Sequence, residues 1–216
     1  SLSNDGTIVA IGAFRNDGTG SNAGHVRVYQ YASNSWTQLG SDIEGEATSD
    51  FFGNSLSLSS DGTIVAIGAI YNDGTASSAG HVRVYQYANN SWSQLGSDID
   101  GEAADDNLGT SVSLSDDGTV LAAGAMYNDG SASNAGHVRV YKYVGGSWTQ
   151  LGSDIDGEAA DDWSGNSVSL SSDGTIVAIG ATANDGTASG AGHVQIYQYA
   201  NSSWTQLGTD IDGEAG

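Results

Sequence analysis

The sequence predicts an all-β protein: a β-propeller of four blades, each a sheet of four antiparallel strands. Three observations lead to this fold class. The stretch NDGTASSAGHVRVYQY at 72–87 recurs almost unchanged at 16–31, 128–143 and 184–199. Each copy has the alternation of apolar and polar residues that is typical of β-strands. No segment has the apolar spacing of an amphipathic helix.

The repeat has a fixed period of 56 residues, which is the spacing of the Asp-Gly pairs at Asp5, Asp61, Asp117 and Asp173. A constant period indicates tandem structural units. We therefore predict a single propeller domain, 1–216, with blades at 1–56, 57–112, 113–168 and 169–216, the last of them incomplete. Three arrangements agree with this count: a closed four-bladed ring, two chains that combine, or part of a larger propeller or array.

The second copy illustrates the predicted strands in order. Residues 55–59 alternate leucine with serine, and an Asp-Gly turn leads to 63–69, an apolar and β-branched run that is typical of a strand buried on both faces. A polar loop precedes the third strand at 81–87, and a short turn precedes the fourth at 91–99. A β-solenoid has shorter coils and an immunoglobulin-like sandwich needs more strands per unit, so both rank behind the propeller.

Composition excludes several classes of protein. The chain has no cysteine, which rules out disulfides, thiolate metal sites and cysteine nucleophiles. Its formal charge is −21, from 26 acidic residues against five Lys and Arg. This charge opposes binding to nucleic acid and to anionic membranes. No stretch approaches the ~20 apolar residues of a membrane helix, so we expect a soluble protein that does not insert into a membrane.

Residues 51–87 resemble the FG-GAP repeat of integrin α-chain propellers and their bacterial relatives. Phe52-Gly53 matches the FG pair, Gly68-Ala69 the first two letters of GAP, and 80–85 the closing run of the motif. The Trp-centred fourth strand is similar to that of the bacterial members, which extends the resemblance to all four copies. It implies a β-propeller, an extracellular or cell-surface location, and a role in adhesion.

The sequence also departs from the FG-GAP pattern. Leu108 and Ser164 replace the Phe of FG in the later copies. The Pro of GAP is replaced in every copy, by Phe14, Ile70, Met126 and Thr182. The calcium loop of the family, a DxDxDG stretch, is reduced here to SSDGT or SDDGT. Such a turn cannot supply the six to eight oxygens that Ca²⁺ takes, so we expect no calcium site at the family's usual place.

Most acidic residues are predicted to lie at one end of the blades, where the loop between strands two and three meets the connection to the next blade. Clustered carboxylates bind hard cations, so weak calcium binding is one hypothesis. Its candidate ligands are Asp73, Asp98, Asp100, Glu102, Asp105, Asp154, Asp156, Glu158 and Asp161. The alternative is that these residues form turns and keep the protein soluble, and we prefer it because the spacing is not that of an EF-hand loop.

Two further repeated side chains have a structural and a functional interpretation. A histidine begins each predicted third strand, and we interpret it as a hydrogen-bonded residue that holds a loop rather than as a metal ligand. The histidines are His25, His81, His137 and His193. The repeated tryptophan is expected to pack between adjacent blades, with a sugar-stacking platform as the alternative. The tryptophans are Trp36, Trp92, Trp148 and Trp204.

Two positions interrupt this regularity. Trp163 occurs once, in an acidic connection, and we expect this aromatic residue above the others to be exposed. Arg27, Arg83 and Arg139 are expected to pair with carboxylates, and Gln195 takes their place in the fourth copy.

Function is predicted from the near-identity of the copies. No asymmetric set of acid, base and nucleophile is visible, which argues against an enzyme. We expect a non-enzymatic, extracellular or cell-surface module that mediates adhesion or assembly through a protein partner or through self-association. A lectin with one shallow carbohydrate site per blade, formed by the repeated tryptophans or by Trp163, is the alternative of a different class.

Overall fold

The computed structural model describes residues 1–214, and their regular secondary structure is β-strand throughout. The first two blades contain β1 (Ile8–Ala13), β2 (His25–Ala32), β3 (Ser35–Gln38), β4 (Ile43–Glu44), β5 (Ser55–Leu58), β6 (Ile64–Ala69), β7 (His81–Ala88), β8 (Ser91–Gln94) and β9 (Ile99–Asp100). The third contains β10 (Ser111–Leu114), β11 (Val120–Ala125), β12 (His137–Val144), β13 (Ser147–Gln150) and β14 (Ile155–Asp156). The fourth contains β15 (Ser164–Leu170), β16 (Ile176–Ala181), β17 (His193–Ala200), β18 (Ser203–Gln206) and β19 (Ile211–Asp212). The last two residues of the predicted fourth blade, 215–216, lie outside the described part of the chain. No helix within 1–214 is long and apolar enough to cross a membrane.

Four antiparallel sheets follow one another along the chain, which confirms the prediction of an all-β propeller with four blades. The second sheet has the order β5-β6-β7-β8, and the third and fourth repeat it. In the first blade the first strand is reduced to a bridge between Leu2 and Val9. The first strands of the later sheets begin at Ser55, Ser111 and Ser164, shortly before the boundaries obtained by dividing the chain from its first residue.

The predicted fourth strand, 91–99 in the second blade, is wrong as a single strand. It consists of β8 and β9, and both pair with β7, so that Trp92 lies opposite Tyr87 and Ile99 lies opposite Val82. Gly96 lies between the two strands with a φ of 81°. Glycine adopts this left-handed conformation without strain, which lets the chain turn away from β7 and return to it.

The second strand of each middle blade is buried along its whole length, as its apolar run predicts. All six residues of β6 and all six of β11 are buried. The equivalent strands of the outer blades are buried less completely: β16 has two partly buried residues, and β1 has three partly buried residues and one exposed residue. The difference arises because only the middle blades have a neighbouring blade on both faces.

Hydrophobic packing joins each blade to the next. One cluster contains Val26 and Val28 of the first blade with Val65 and Ile67 of the second. Equivalent clusters join the second blade to the third and the third to the fourth. Within residues 1–214 no such cluster joins the fourth blade to the first. The four blades therefore form an open arc in the structure.

The Asp-Gly turn between the first two strands is stabilised by its own side chains. In the second blade, Asp61 Oδ1 accepts hydrogen bonds from the Ser59 hydroxyl at 2.7 Å and from the Thr63 backbone N–H at 2.9 Å. The Ser59 hydroxyl oxygen in turn accepts from the Ile64 backbone N–H at 2.9 Å. The Asp61 carboxylate thus stabilises the turn by accepting local hydrogen bonds, as Asp commonly does in turns.

Candidate functional site

A cluster of one histidine and two carboxylates recurs at the loop end of every blade. In the second blade its members are His81, Asp98 and Glu46, and one ligand atom of each lies within 4.8 Å of the others. His81 begins β7, Asp98 immediately precedes β9, and Glu46 comes from the connection that follows the first blade. The cluster therefore forms where two consecutive blades meet, except in the first blade, whose cluster lies within that blade. The remaining clusters are His25, Asp42 and Glu44; Glu102, His137 and Asp154; and Glu158, His193 and Asp210.

An arginine neutralises the carboxylates in the second and third blades. Arg83 lies two residues after His81 on β7, so both side chains point to the same face of the sheet. Its guanidinium donates to Asp98 through Nε at 3.0 Å and through Nη2 at 2.7 Å, and it also contacts Glu46. Arg139 makes the equivalent contacts with Asp154 and Glu102. Each arginine thus pairs with carboxylates, as its alternation with valine predicts.

These ion pairs shift the pKa of the aspartates. Burial alone would raise the pKa of Asp98, but hydrogen bonds from Arg83 and Gln94 outweigh it and hold that pKa below its ordinary value. In the first blade, the hydrogen bonds from Arg27 and Gln38 lower the pKa of Asp42 to about 2. Both aspartates are consequently ionised at neutral pH and act as fixed partners of their arginines.

The histidines of the two middle blades are neutral and incompletely hydrogen-bonded. His81 Nε2 and His137 Nδ1 are buried and have no hydrogen-bond partner. Burial lowers the pKa of His81 to about 4, and the charge of Arg83 acts in the same direction. Burial and the charge of Arg139 also lower the pKa of His137.

Acid is expected to destabilise the protein through His81. The unfolded chain takes up a proton at this residue below pH ~6.5, whereas the folded chain does so only near pH 4. The free energy of unfolding should therefore fall by about 3 kcal/mol as the pH drops from 6.5 to 4. Urea unfolding of the wild type and of His81→Asn at pH 7.5 and pH 4.5 measures the contribution. The variant should lose less free energy between the two pH values, and an equal loss in both proteins would contradict the assignment.

The cluster of the fourth blade differs from the others because Gln195 occupies the arginine position. Gln195 is buried, and its Nε2 donates to Asp210 Oδ1 at 3.1 Å. Its Oε1 accepts from the Tyr197 hydroxyl at 3.1 Å. His193 Nδ1 lies 3.9 Å from Asp210 Oδ2. Of the four clusters in residues 1–214, this one has two carboxylates and no guanidinium.

The structure groups the predicted metal ligands into clusters differently from their grouping along the sequence. Asp98 and Glu102, which are close in sequence, belong to consecutive clusters, and so do Asp154 and Glu158. No cluster found within 1–214 contains the other five candidates, which are Asp73, Asp100, Asp105, Asp156 and Asp161. Asp73 accepts a hydrogen bond from the Ser78 backbone N–H at 2.8 Å, which is a turn-forming contact. Groups of acidic and histidine side chains that could hold a metal ion are thus present, and those with His81, His137 and His193 are assembled across two blades.

Sequence reasoning missed four carboxylates of these clusters, which are Asp42, Glu44, Glu46 and Asp210. The signal was present, because Asp42, Asp98, Asp154 and Asp210 each follow the repeated histidine by 17 residues. It was obscured because these aspartates lie in the same acidic stretches as turn-forming residues. Gln195 was visible as an exception, but its position beside two carboxylates follows only from the pairing of β17 with β19.

Three of the repeated tryptophans pack between blades. Trp92, Trp148 and Trp204 donate their indole N–H to the backbone carbonyls of Leu39, Leu95 and Leu151 in the preceding blade, at 2.7–2.8 Å. Trp36 has no preceding blade and is 46% exposed. Trp163 is 37% exposed and contacts the ring of Tyr127 edge-on. Trp163 is thus exposed, as expected from the sequence, and Trp36 is more exposed still.

Fold and site together define a β-propeller of tandem repeats with a histidine–carboxylate cluster in each blade. Residues 44–85 match the family model of the FG-GAP repeat, so the resemblance is confirmed over these residues. A comparison with curated protein sequences found no significant match.

Solved structures share the fold along nearly the whole chain. A proposed 6-phosphogluconolactonase from Bacteroides uniformis has a TM-score of 0.64 at 12% identity, covering 99% of this chain and 54% of its own. Another, from Bacteroides fragilis, has a TM-score of 0.63 at 15% identity, with the same coverage. The periplasmic gluconolactonase of Pseudomonas aeruginosa has a TM-score of 0.62 at 18% identity, covering 99% of this chain and 56% of its own. The chain thus spans about half the length of these proteins.

These similarities correct the functional expectation. Three solved propellers that resemble this chain along nearly its whole length carry the names of enzymes, so the inference of a non-enzymatic adhesion or assembly module is wrong, as is the exclusion of an enzyme. The lectin alternative gains no support from them. The expectation rested on the near-identity of the blades, although Gln195 already departs from that identity in the fourth copy. At 12–18% identity the likeness itself shows the fold alone.

Proposed function

We propose that this propeller hydrolyses an uncharged cyclic ester of the sugar-lactone class, with a divalent cation held by Glu158, His193 and Asp210. The observation that carries the proposal is the replacement of the cluster arginine by Gln195. In the second and third blades a guanidinium contacts both carboxylates, whereas in the fourth a neutral amide takes its place. The fourth cluster is therefore the one suited to a cation from solution.

The donor set and its spacing support a cation. One histidine nitrogen and two carboxylate oxygens lie within 4.8 Å of one another. A metal ion with bonds of about 2.0–2.4 Å fits among such atoms, and three protein ligands leave coordination positions open for water and substrate. Imidazole with carboxylates suits Zn²⁺ or Mn²⁺ better than Ca²⁺, which prefers oxygen ligands alone. Calcium, which the sequence analysis raised as one hypothesis for the acidic loops, is therefore one of the ions to be compared.

The chemistry follows from a cation in this position. A divalent ion held by Glu158, His193 and Asp210 would supply a bound water of lowered pKa and would polarise the ester carbonyl. In the net reaction, water adds to the carbonyl carbon, the ring C–O bond breaks, and the ring oxygen takes up a proton. The product is an open-chain hydroxy acid. Carboxylate products are repelled by the acidic surroundings, which favours their release.

The charge of the chain favours an unphosphorylated substrate. Tight phosphate recognition requires Arg or Lys donors. This chain has five such residues against 26 acids, and three of the five, Arg27, Arg83 and Arg139, are paired with Asp42, Asp98 and Asp154. A neutral aldonolactone, the substrate class that the name of the Pseudomonas protein indicates, fits better than its 6-phosphate.

The location and the partners of the protein are inferred from the comparisons and from the charge of the chain. A site outside the cytoplasm, extracellular or periplasmic, is supported by the periplasmic relative and by the FG-GAP repeat. Among extracellular locations, we propose the cell surface in particular. Carbohydrate enters as a substrate, while nucleic acid is disfavoured by the charge of −21.

Hydrolysis of glucono-δ-lactone, followed as acid release at constant pH, tests the proposal. The protein is first treated with a chelator and then assayed with Ca²⁺, Mn²⁺ or Zn²⁺, with the spontaneous rate subtracted. Gln195→Arg introduces the guanidinium that the second and third blades already contain, so the blade should still fold. This variant is expected to lose at least tenfold in cation affinity and to fall to the spontaneous rate.

Gln198→Arg is the matched control, because Gln198 is an exposed residue of the same strand and the change in charge is identical. It should leave the rate and the cation affinity unchanged. Calorimetric titration with each ion should give one site per chain. No acceleration with any of the ions, or full activity of Gln195→Arg, would refute the proposed function.

A further inference from the structure

The exchange of arginine for glutamine in the fourth cluster keeps one contact with the aspartate and removes another. In the second blade, Arg83 donates to Asp98 from Nε to Oδ1 at 3.0 Å and from Nη2 to Oδ2 at 2.7 Å. The third blade repeats both contacts. In the fourth blade, Gln195 Nε2 reproduces only the first of them, at 3.1 Å from Asp210 Oδ1. Gln195 therefore supplies no counterpart of the contact between Nη2 and Oδ2.

The Nη2 contact is the one that bridges two carboxylates in the second and third blades. Arg83 Nη2 contacts Asp98 Oδ2 and also a carboxylate oxygen of Glu46. The third blade has the same bridge. The corresponding carboxylates of the fourth blade belong to Asp210 and Glu158, and one oxygen of each lies within 4.8 Å of the other. Two carboxylates at this distance repel each other, so the position of Nη2 is where a cation is stabilised most.

The hydrogen bonds of Asp210 fall on one of its two oxygens. Gln206 Nε2 donates to Oδ1 at 2.5 Å, and Gln195 Nε2 donates to the same atom at 3.1 Å. Within residues 1–214 no hydrogen bond reaches Oδ2, and His193 Nδ1 lies 3.9 Å from it. Oδ1 is thus engaged by two neutral amides, and Oδ2 is the oxygen that faces the histidine.

Tyr197 determines which end of the Gln195 amide meets the aspartate. The Tyr197 hydroxyl donates to Gln195 Oε1 at 3.1 Å. Both residues belong to β17 and are two positions apart, so their side chains lie on the same face of the sheet. With Oε1 held by the tyrosine, Nε2 is directed at Asp210. The reversed amide would place Oε1 against a carboxylate, where neither oxygen can donate a hydrogen bond.

We propose that Tyr197 and Gln195 are positioning residues that make Asp210 a ligand with one oxygen, and that they thereby select Zn²⁺ over Ca²⁺. One oxygen of Asp210, one of Glu158 and a nitrogen of His193 give three ligand atoms, the usual number at a zinc site with an open position. Calcium takes six to eight oxygens and often both oxygens of a carboxylate, which the amides on Oδ1 oppose. The inference rests on the cation site of the proposed function and not on the reaction at that site.

Displacement of Zn²⁺ by Ca²⁺ tests the positioning roles. The chelator-treated protein is loaded with one equivalent of Zn²⁺, and the Ca²⁺ concentration that releases half of it is measured. Tyr197→Phe removes the hydroxyl, and Gln195→Met removes the amide without introducing a charge. In both variants this concentration should fall by about fivefold or more, because Asp210 can then rotate and offer Ca²⁺ both of its oxygens. A merely structural effect would weaken the binding of both ions alike and leave the displacement unchanged.

Tyr199→Phe is the matched control. Tyr199 is the next tyrosine of β17, and its ring packs on that of Trp204, with centroids 5.1 Å apart. The same loss of a hydroxyl at this position should leave the displacement as in the wild type. A fall as large as that of Tyr197→Phe would refute a specific role for Tyr197.

The outcomes separate this inference from the proposed hydrolysis. Displacement that is no easier in Tyr197→Phe and Gln195→Met than in the wild type would overturn the positioning roles and leave the reaction standing. Easier displacement in both variants, together with a wild type that does not hydrolyse glucono-δ-lactone, would support the positioning roles and overturn the reaction. A wild-type chain that binds no Zn²⁺ would overturn the inference together with the cation site.

Discussion

Gly124→Ala is expected to destabilise the protein by about 4 kcal/mol or more, among the largest effects of any single substitution. An added Cβ would lie 2.0 Å from the Gly165 carbonyl oxygen and 2.9 Å from its carbon. Both atoms belong to backbone at the start of the fourth blade, so relief of the clash requires the third and fourth blades to separate. Urea unfolding followed by tryptophan fluorescence measures the loss.

Gly180→Ala is the matched control, because it makes the same change at the same position of the next repeat. Here the added Cβ meets the Ser167 hydroxyl oxygen at 2.4 Å and then nothing closer than 3.7 Å. A serine side chain can rotate away, so the loss should be below about 1 kcal/mol. Equal losses at Gly124 and Gly180 would show that the requirement for glycine is local to the strand and not set by the neighbouring blade.

Phe52→Ala is expected to cost about 3–5 kcal/mol, the usual range for removing a buried phenylalanine. Phe52 is 1% exposed and belongs to the cluster that joins the first two blades. Its ring contacts His81 and Tyr85 edge-on, with centroids 6.5 and 6.3 Å apart. The substitution leaves a cavity in the cluster that joins two blades, so the free energy of unfolding should fall by the transfer and cavity contributions together.

The neighbouring residue provides the comparison. Phe51 is only partly buried and packs on the rings of Phe14 and Tyr71 near the surface. Phe51→Ala should cost about 1 kcal/mol, because exposed aromatic pairs contribute little beyond their buried area. A larger loss at Phe51 than at Phe52 would contradict the inference that Phe52 contributes more to the stability of the protein than Phe51 does. Urea unfolding of both variants in parallel decides between these outcomes.

Much of the fold could be predicted from the amino-acid sequence. The buried second strand followed from the apolar run 63–69, and β6 is buried at every position. The Asp-Gly turn followed from its residue types, because Asp61 accepts its hydrogen bonds within five residues of chain. Local features of this kind depend on neighbours in sequence, which every copy of the repeat carries with it.

The candidate site could not be predicted in the same way. Glu158, His193 and Asp210 come from three separate segments, and they meet only because β17 pairs with β19 while the third blade packs on the fourth. The meaning of Gln195 also depends on this meeting, since an amide for an arginine matters only beside two carboxylates that the arginine would otherwise neutralise.

The sequence by itself determined the period of 56 residues, the strand order within a repeat, and the small or apolar residues that each blade presents to the next. The tertiary structure alone decided which copies of these residues are buried. Trp36 and Trp148 lie in the identical stretch SWTQLGSDI, yet Trp36 is 46% exposed while Trp148 is partly buried and donates to the Leu95 carbonyl. Identical sequences have identical local preferences, but a side chain is buried between blades only where a neighbouring blade covers it. Within residues 1–214 the second, third and fourth blades each pack on the blade before them, whereas the first has no blade before it.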